Sequence, residues 1–201
     1  MAKKRKRKIP NKSYQTRKRK NNQLNKSKVS VWDILLAAVI SVLIFTSLFT
    51  LFFPIRVVKG ISMSPIIRPE EKIIVSRFSR NINRFDVVSI KAGNQYEFKR
   101  VIGLPGERVR YSDDTLYINE EVVEETYLRD QLNEYHQRSE VLTQSAGEES
   151  SFESGVIPKG YYFVLGDNRS DASDSRQFGF VSGSDINGEV FYSLSSFNQI
   201  R

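Results

Sequence analysis

Ser62 lies in the stretch KGISMSP, residues 59–65, two residues after Gly60 and three before Pro65. A serine hydroxyl is a poor nucleophile until a neighbouring base takes its proton. Glycine lets backbone approach a ligand closely and proline fixes the next bend, so the stretch reads either as a held serine or as a plain turn. The usual base would be histidine, but the single His136 falls in a polar segment where it reads as a solvated loop residue, and a His triad is disfavoured. A lysine can replace it if its amine is neutral, which requires burial to lower a pKa of about 10.4 by several units, each about 1.4 kcal/mol. Lys99, in YEFKRVIGLPGERV, interrupts an apolar strand pattern through Phe98, Val101 and Ile102. Lys99 and Arg100 point to opposite faces of a strand, so one of them is expected on the packed side. Lysine is the one that can lose its proton there, since arginine stays charged. An edge strand with two snorkelling cations fits the same residues.

A third chemistry-bearing stretch is GDNRSDASDSRQFG, residues 166–179, where aspartates alternate with Arg169 and Arg176. Counted from Asp167, its sixth position is Ala172 rather than glycine and its twelfth is Phe178 rather than glutamate, so it is not a calcium loop. The expectation is a turn-rich segment whose carboxylates and guanidinium groups pair and brace a nearby site, with an ordinary surface loop as the alternative. With no cysteine and one histidine, neither thiolate nor His-pair metal motifs are available, and no metal or other cofactor is expected.

These residues need elements to hold them. Residues 34–53, ILLAAVISVLIFTSLFTLFF, carry no charge and are long enough as a helix to cross a bilayer core of about 30 Å. A transmembrane helix is therefore placed at 29–53. Residues 1–28 hold 13 of the 31 Lys and Arg and no Asp or Glu, which leaves 18 basic against 23 acidic residues beyond them. The positive-inside bias puts this basic tail in the cytoplasm and residues 54–201 outside. A tail beside a membrane span reads as a topology signal and lipid-surface attraction, while the acidic outer part gives no support for nucleic-acid binding. Beyond residue 54 the pattern has period two: residues 72–76, 86–90, 96–102, 108–111, 161–165 and 188–193 are short runs rich in β-branched and aromatic residues. Asp113-Asp114 and Asn119-Glu120 are turn candidates between such runs. Residues 129–155 are polar, weakly periodic and rich in Ser and Glu, which predicts an exposed insertion or mobile loop. The outer part thus reads as one mostly β domain.

Taken together, GISMSP, KRVIGLPGERV, LYINEEVVEE and GDNRSDASDSRQFGFV, in this order behind an N-terminal anchor, resemble the type I signal peptidases of Gram-positive kind. These are membrane-bound Ser/Lys proteases that cut signal peptides from exported proteins. The resemblance implies antiparallel sheets with the catalytic face on the outer leaflet. By the same resemblance Ser62 is the nucleophile and Lys99 the general base, while Asp174 and Arg176 look like the family's structural ion pair, with Asp167 and Arg169 as further support. Gly60 stands where some members carry a second serine, as in Gram-positive relatives, so the oxyanion donor would rest on the Ser62 backbone N–H, with Gly60 and Met63 shaping that turn. The family threonine after the proline is Ile66 here. The family serine that would orient the lysine amine falls at Ala172: either Ser173, one place later, serves instead, or the lysine is less well held. Substrate is expected as an extended strand beside residues 56–59 and 96–98, with Val58 and Phe98 walling shallow pockets for small side chains at the first and third positions before the cut. Expected partners are exported preproteins and membrane lipid, with the secretion translocon or pilin subunits as further candidates. The altered threonine and serine positions motivate an alternative: a non-cleaving accessory protein that assists assembly of pili or surface fibres.

Overall fold

The computed structural model describes residues 30–78, 81–143 and 155–195. The basic tail expected over 1–28 lies outside these residues, as does 144–154 within the polar segment. Helix α1 spans Val31–Phe52, close to the 29–53 expected, and none of its side chains is buried. Beyond Asp33 in its first turn the helix carries no charge, and an exposed apolar helix of this length suits a lipid environment. Ser30 and Asp33 close its first turn by exchanging contacts, the Ser30 N–H donating to the Asp33 carboxylate at 2.9 Å.

The strands are β1 Ile55–Val57, β2 Lys72–Ser76, β3 Val87–Ala92, β4 Gln95–Gly103, β5 Val109–Ser112, β6 Thr115–Ile118, β7 Glu121–Val123, β8 Tyr161–Leu165, β9 Val181–Ser182 and β10 Ile186–Ser193. Seven of them form one sheet in the order β1-β2-β10-β3-β4-β8-β9, and β5-β6-β7 form a second, with every pairing antiparallel. The period-two runs are thus strands, and both turn candidates are turns. Asp113, Asp114, Asn119 and Glu120 all take positive φ, the twist that two-residue hairpin loops need to match their strands.

Three apolar clusters hold these layers. Val58, Met63, Ile67, Ile73, Val75, Val87, Phe98 and Val190 form one. Ile102, Val109, Tyr111, Leu116, Ile118, Ile157, Phe163 and Leu165 bind the small sheet to the large one. Val88, Ile90, Val101, Val164 and Val181 make the third.

The polar segment departs from the loop expected of it. Residues Arg129–Gln137 form a helix, α2, although none of its residues is buried. What holds this region is Asp114, whose carboxylate accepts the N–H groups of Leu142 and Thr143 and contacts His136 Nε2 at 3.1 Å. His136 is therefore exposed, as expected, but lies on a helix and is tied to a buried turn carboxylate rather than standing in a loop.

Candidate active site

Ser62 sits in a run of turns between β1 and β2, half-buried, and the residues on either side explain its placement. Gly60 has φ +90°, a left-handed conformation that suits glycine, and an added Cβ would meet nothing, so the requirement there is conformational. Met63 is buried in the first apolar cluster and ties the serine turn to Phe98 and Val58. The Ser62 carbonyl accepts the Asn168 N–H at 3.0 Å, and the Asn168 side-chain amide donates to the Ile61 carbonyl at 3.3 Å. The serine turn is thereby stitched to the segment that follows β8.

Gly166 opens that segment. A Cβ on Gly166 would lie 2.5 Å from the Ser62 carbonyl oxygen and would also collide with the Ala172 Cβ, so only glycine lets the two stretches meet. Strand β8 pairs with β4 through Arg100↔Leu165 and Val101↔Val164. The ladder ends at Arg100↔Leu165, and the next residues of the two segments are Lys99 and Gly166.

Lys99 is 2% exposed, and its Nζ lies 3.4 Å from an oxygen of Glu97, a residue whose side chain is about half exposed. Arg100 is buried as well, which corrects the expectation that only one of the pair would face packed structure. The reason is topological. Strand β4 is an inner strand, and from Phe98 to Gly103 it is buried on both faces, so neither Lys99 nor Arg100 reaches water. Asp167 accepts from Arg100 Nε at 2.8 Å and Nη2 at 2.7 Å, while Nη1 donates to the Phe85 carbonyl and the guanidinium stacks 4.0 Å from the Tyr127 ring.

The 166–179 stretch pairs internally only in part. Asp174 caps the short helix α3, Ser175–Phe178, and binds Arg176 with both oxygens, at 2.9 and 2.8 Å; it also accepts the Gly166 N–H. The pairing foreseen for Asp174 and Arg176 is therefore present. Asp167 and Arg169 instead reach far partners. Arg169 is 1% exposed, donates to the Gly166 carbonyl, and fans its remaining N–H groups onto Glu125, Tyr111, Tyr127 and Thr143. Burial pushes the Tyr111 and Tyr127 hydroxyls well above their ordinary range, with the Glu125 charge adding to the effect and Arg169 opposing it. The Arg169 guanidinium is held firmly charged: its desolvation is outweighed by Tyr111, Glu125 and Tyr127.

Of the expected site residues, Ser62, Gly60, Met63, Asp167, Arg169, Asp174 and Arg176 converge around Gly166, and Val58 packs with Phe98 in one cluster. Ser173 is exposed, whereas Ala172 is buried against Gly166. Arg100, Tyr111, Glu125 and Tyr127 were not foreseen. For Arg100 a signal existed, since a strand flanked by Val101, Ile102 and Gly103 is apolar on both faces. For the other three, which share strands and turns with ordinary core residues, none did. Among the described residues no group of His, Asp and Glu is placed to hold a metal ion.

The sequence model of the family described as "Signal peptidase, peptidase S26" matches residues 31–194. Signal peptidase I V of Bacillus subtilis (strain 168) is 38% identical over 159 residues, which span 77% of this chain and 94% of that protein. Signal peptidase IB of Staphylococcus aureus (strain COL) is 33% identical over 184 residues, spanning 88% and 94%. Among solved structures, a signal peptidase I from Enterococcus faecalis V583 is 40% identical, with a TM-score of 0.48, and covers 55% of this chain and 97% of its own.

Proposed function

The chain belongs to the signal peptidases of peptidase family S26, and from that premise we propose that it is a membrane-anchored endopeptidase in which Ser62 is the nucleophile and Lys99 the general base. Removal of signal peptides from exported preproteins is what membership supports; the dyad rests on the Gly166 junction. One glycine admits the Ser62 carbonyl just past the Arg100↔Leu165 pair, where Lys99 is the next residue of β4, and Lys99 is 2% exposed. In the reaction, Lys99 takes the Ser62 proton as Oγ attacks the scissile carbonyl, the Ser62 N–H stabilises the oxyanion, and the proton passes to the leaving amine. Water, deprotonated by the same amine, then releases the acyl group and restores the hydroxyl.

Strand topology supports an extended substrate. Strand β1 has a partner only on the β2 side. The β4–β8 ladder begins at Arg100, so residues 95–99 pair with β3 alone and keep a second edge open. A peptide lying along that edge ends at Lys99 and the Ser62 turn, with Val58 and Phe98 beneath it. In this reading α1 anchors the chain with residues 54–201 outside. Ile61, exposed just before the nucleophile, and Phe78, stacked 4.4 Å from Phe52, rest on lipid.

The test is processing of a preprotein by the full chain in detergent or vesicles. Wild type is expected to cut after a small residue, and Ser62→Ala and Lys99→Arg to stop doing so, the latter because arginine does not give up its proton. Cutting by Ser62→Ala at the normal rate would overturn the dyad. An intact preprotein with wild type would favour a non-cleaving accessory role.

A further inference from the structure

Arg56 is a cation that the peptidase reading leaves without a task. It sits on edge strand β1, in register with Ile73, and its guanidinium carbon lies 3.9 Å from the centre of the Tyr96 ring on β4. Its Nε is buried and has no hydrogen-bond partner, and among the described residues no carboxylate pairs with it. A desolvated N–H without an acceptor is costly, and an acceptor that arrives there removes that cost.

The place defines the acceptor. Arg56 on β1 and Val58 just past its end lie two residues apart, as do Tyr96 and Phe98 on β4, and both Val58 and Phe98 belong to one apolar cluster against which Tyr96 packs. The open groove therefore has two levels: an apolar one at Val58 and Phe98, and a cationic one at Arg56 and Tyr96, about 7 Å farther from Ser62 at the rise of an extended chain. A strand that sends its first and third side chains before the cut to the apolar level presents its fifth to the cationic one.

We propose that Arg56, braced on Tyr96, is a specificity-determining residue that donates to a side-chain oxygen, of a carboxylate or a carboxamide, at the fifth position before the scissile bond. The planar guanidinium supplies parallel N–H donors to such a group, and its ring contact fixes its plane in advance. Lysine at that substrate position is repelled, and an aliphatic side chain leaves Nε unpaired.

The inference rests on the peptidase reading and is tested with peptides carrying Ala at the first and third positions before the cut and Glu, Gln, Leu or Lys at the fifth. With the full chain in detergent, wild type is expected to favour Glu and Gln over Leu by about ten-fold in kcat/KM and to disfavour Lys most. In Arg56→Leu the Glu-to-Leu ratio should fall to about two-fold or less. Arg56→Lys should retain discrimination between Glu and Lys while losing that between Gln and Leu, which decides the matter if Arg56→Leu does not fold. A flat wild-type profile overturns the proposal, as does a Glu-to-Leu ratio that survives in Arg56→Leu, or a Gln-to-Leu ratio that survives in Arg56→Lys. If wild type cuts none of the peptides, the peptidase reading fails separately. The same ratios, read as Kd values for these peptides on Ser62→Ala, then support or overturn the role of Arg56.

Discussion

A Cβ on Gly166 would lie 2.5 Å from the carbonyl oxygen of Ser62, the same oxygen that accepts the Asn168 N–H. Real Cβ atoms do not approach a backbone oxygen so closely. Gly166→Ala must therefore push the serine turn away from the strand that carries Lys99. A displacement of about 1 Å between reacting groups costs about 100-fold in rate. The expected result is a loss of that order in kcat, with the far-ultraviolet spectrum unchanged. Adding Ala172→Gly removes the second collision but not the first, so the double variant should stay impaired. Recovery of the full rate in the double variant would show that Ala172, not Ser62, sets the limit.

The buried Arg100–Asp167 pair makes a different prediction, one of stability. Both side chains are fully buried and joined by two short hydrogen bonds, with a third from Arg100 to Phe85. Breaking such a pair by removing one partner leaves a desolvated charge and costs about 3–5 kcal/mol. Asp167→Leu should lose that much in a urea titration. Arg100→Met combined with Asp167→Leu should lose less than Asp167→Leu alone, because no lone charge remains. A single variant within about 1 kcal/mol of wild type would mean that water reaches the pair.

The strands, hairpin turns and long apolar helix were legible because each is written locally, in alternation, turn residues or apolar length, whereas the Asp174–Arg176 pair came from the family resemblance. Arg100 was misjudged because alternation assigns faces without saying that β4 would be covered on both. Helix α2 was missed because none of its residues is buried, so Arg129–Gln137 carries no periodic apolar stripe. Its anchor is Asp114, a turn residue 22 positions from His136. Glu125 and Arg169 meet across 44 positions, and nothing in either local sequence announces the other.

On the proposed Ser62/Lys99 dyad, Ala172 is the position from which a hydroxyl would orient the lysine amine. Its Cβ is buried against Gly166, while the Ser173 side chain is exposed. In Ala172→Ser the new hydroxyl requires a partner, since a buried unpaired one costs about 1–3 kcal/mol. With Lys99 as that partner, kcat should rise about three- to ten-fold through better orientation of the amine, and the melting temperature should hold. A lower melting temperature with kcat unchanged would show that the amine is out of reach of this position.

The Tyr111, Tyr127, Glu125 and Arg169 cluster governs behaviour in alkali. Both hydroxyls donate to Glu125 Oε1, and Arg169 donates to both phenol oxygens. Burial, reinforced by the Glu125 charge, raises both tyrosines above their unfolded value of about 10. The folded state therefore keeps protons that the unfolded chain releases. The stability this contributes is complete below about pH 10 and is lost as pH climbs past it toward the folded values. Melting temperatures measured from about pH 8 to about pH 11 should be level at first and then fall. Tyr111→Phe with Tyr127→Phe should start lower, because Glu125 and Arg169 lose partners, and should fall less steeply at the alkaline end. An equally steep fall in the double variant would place the alkaline sensitivity in the remaining tyrosines and lysines instead of this cluster.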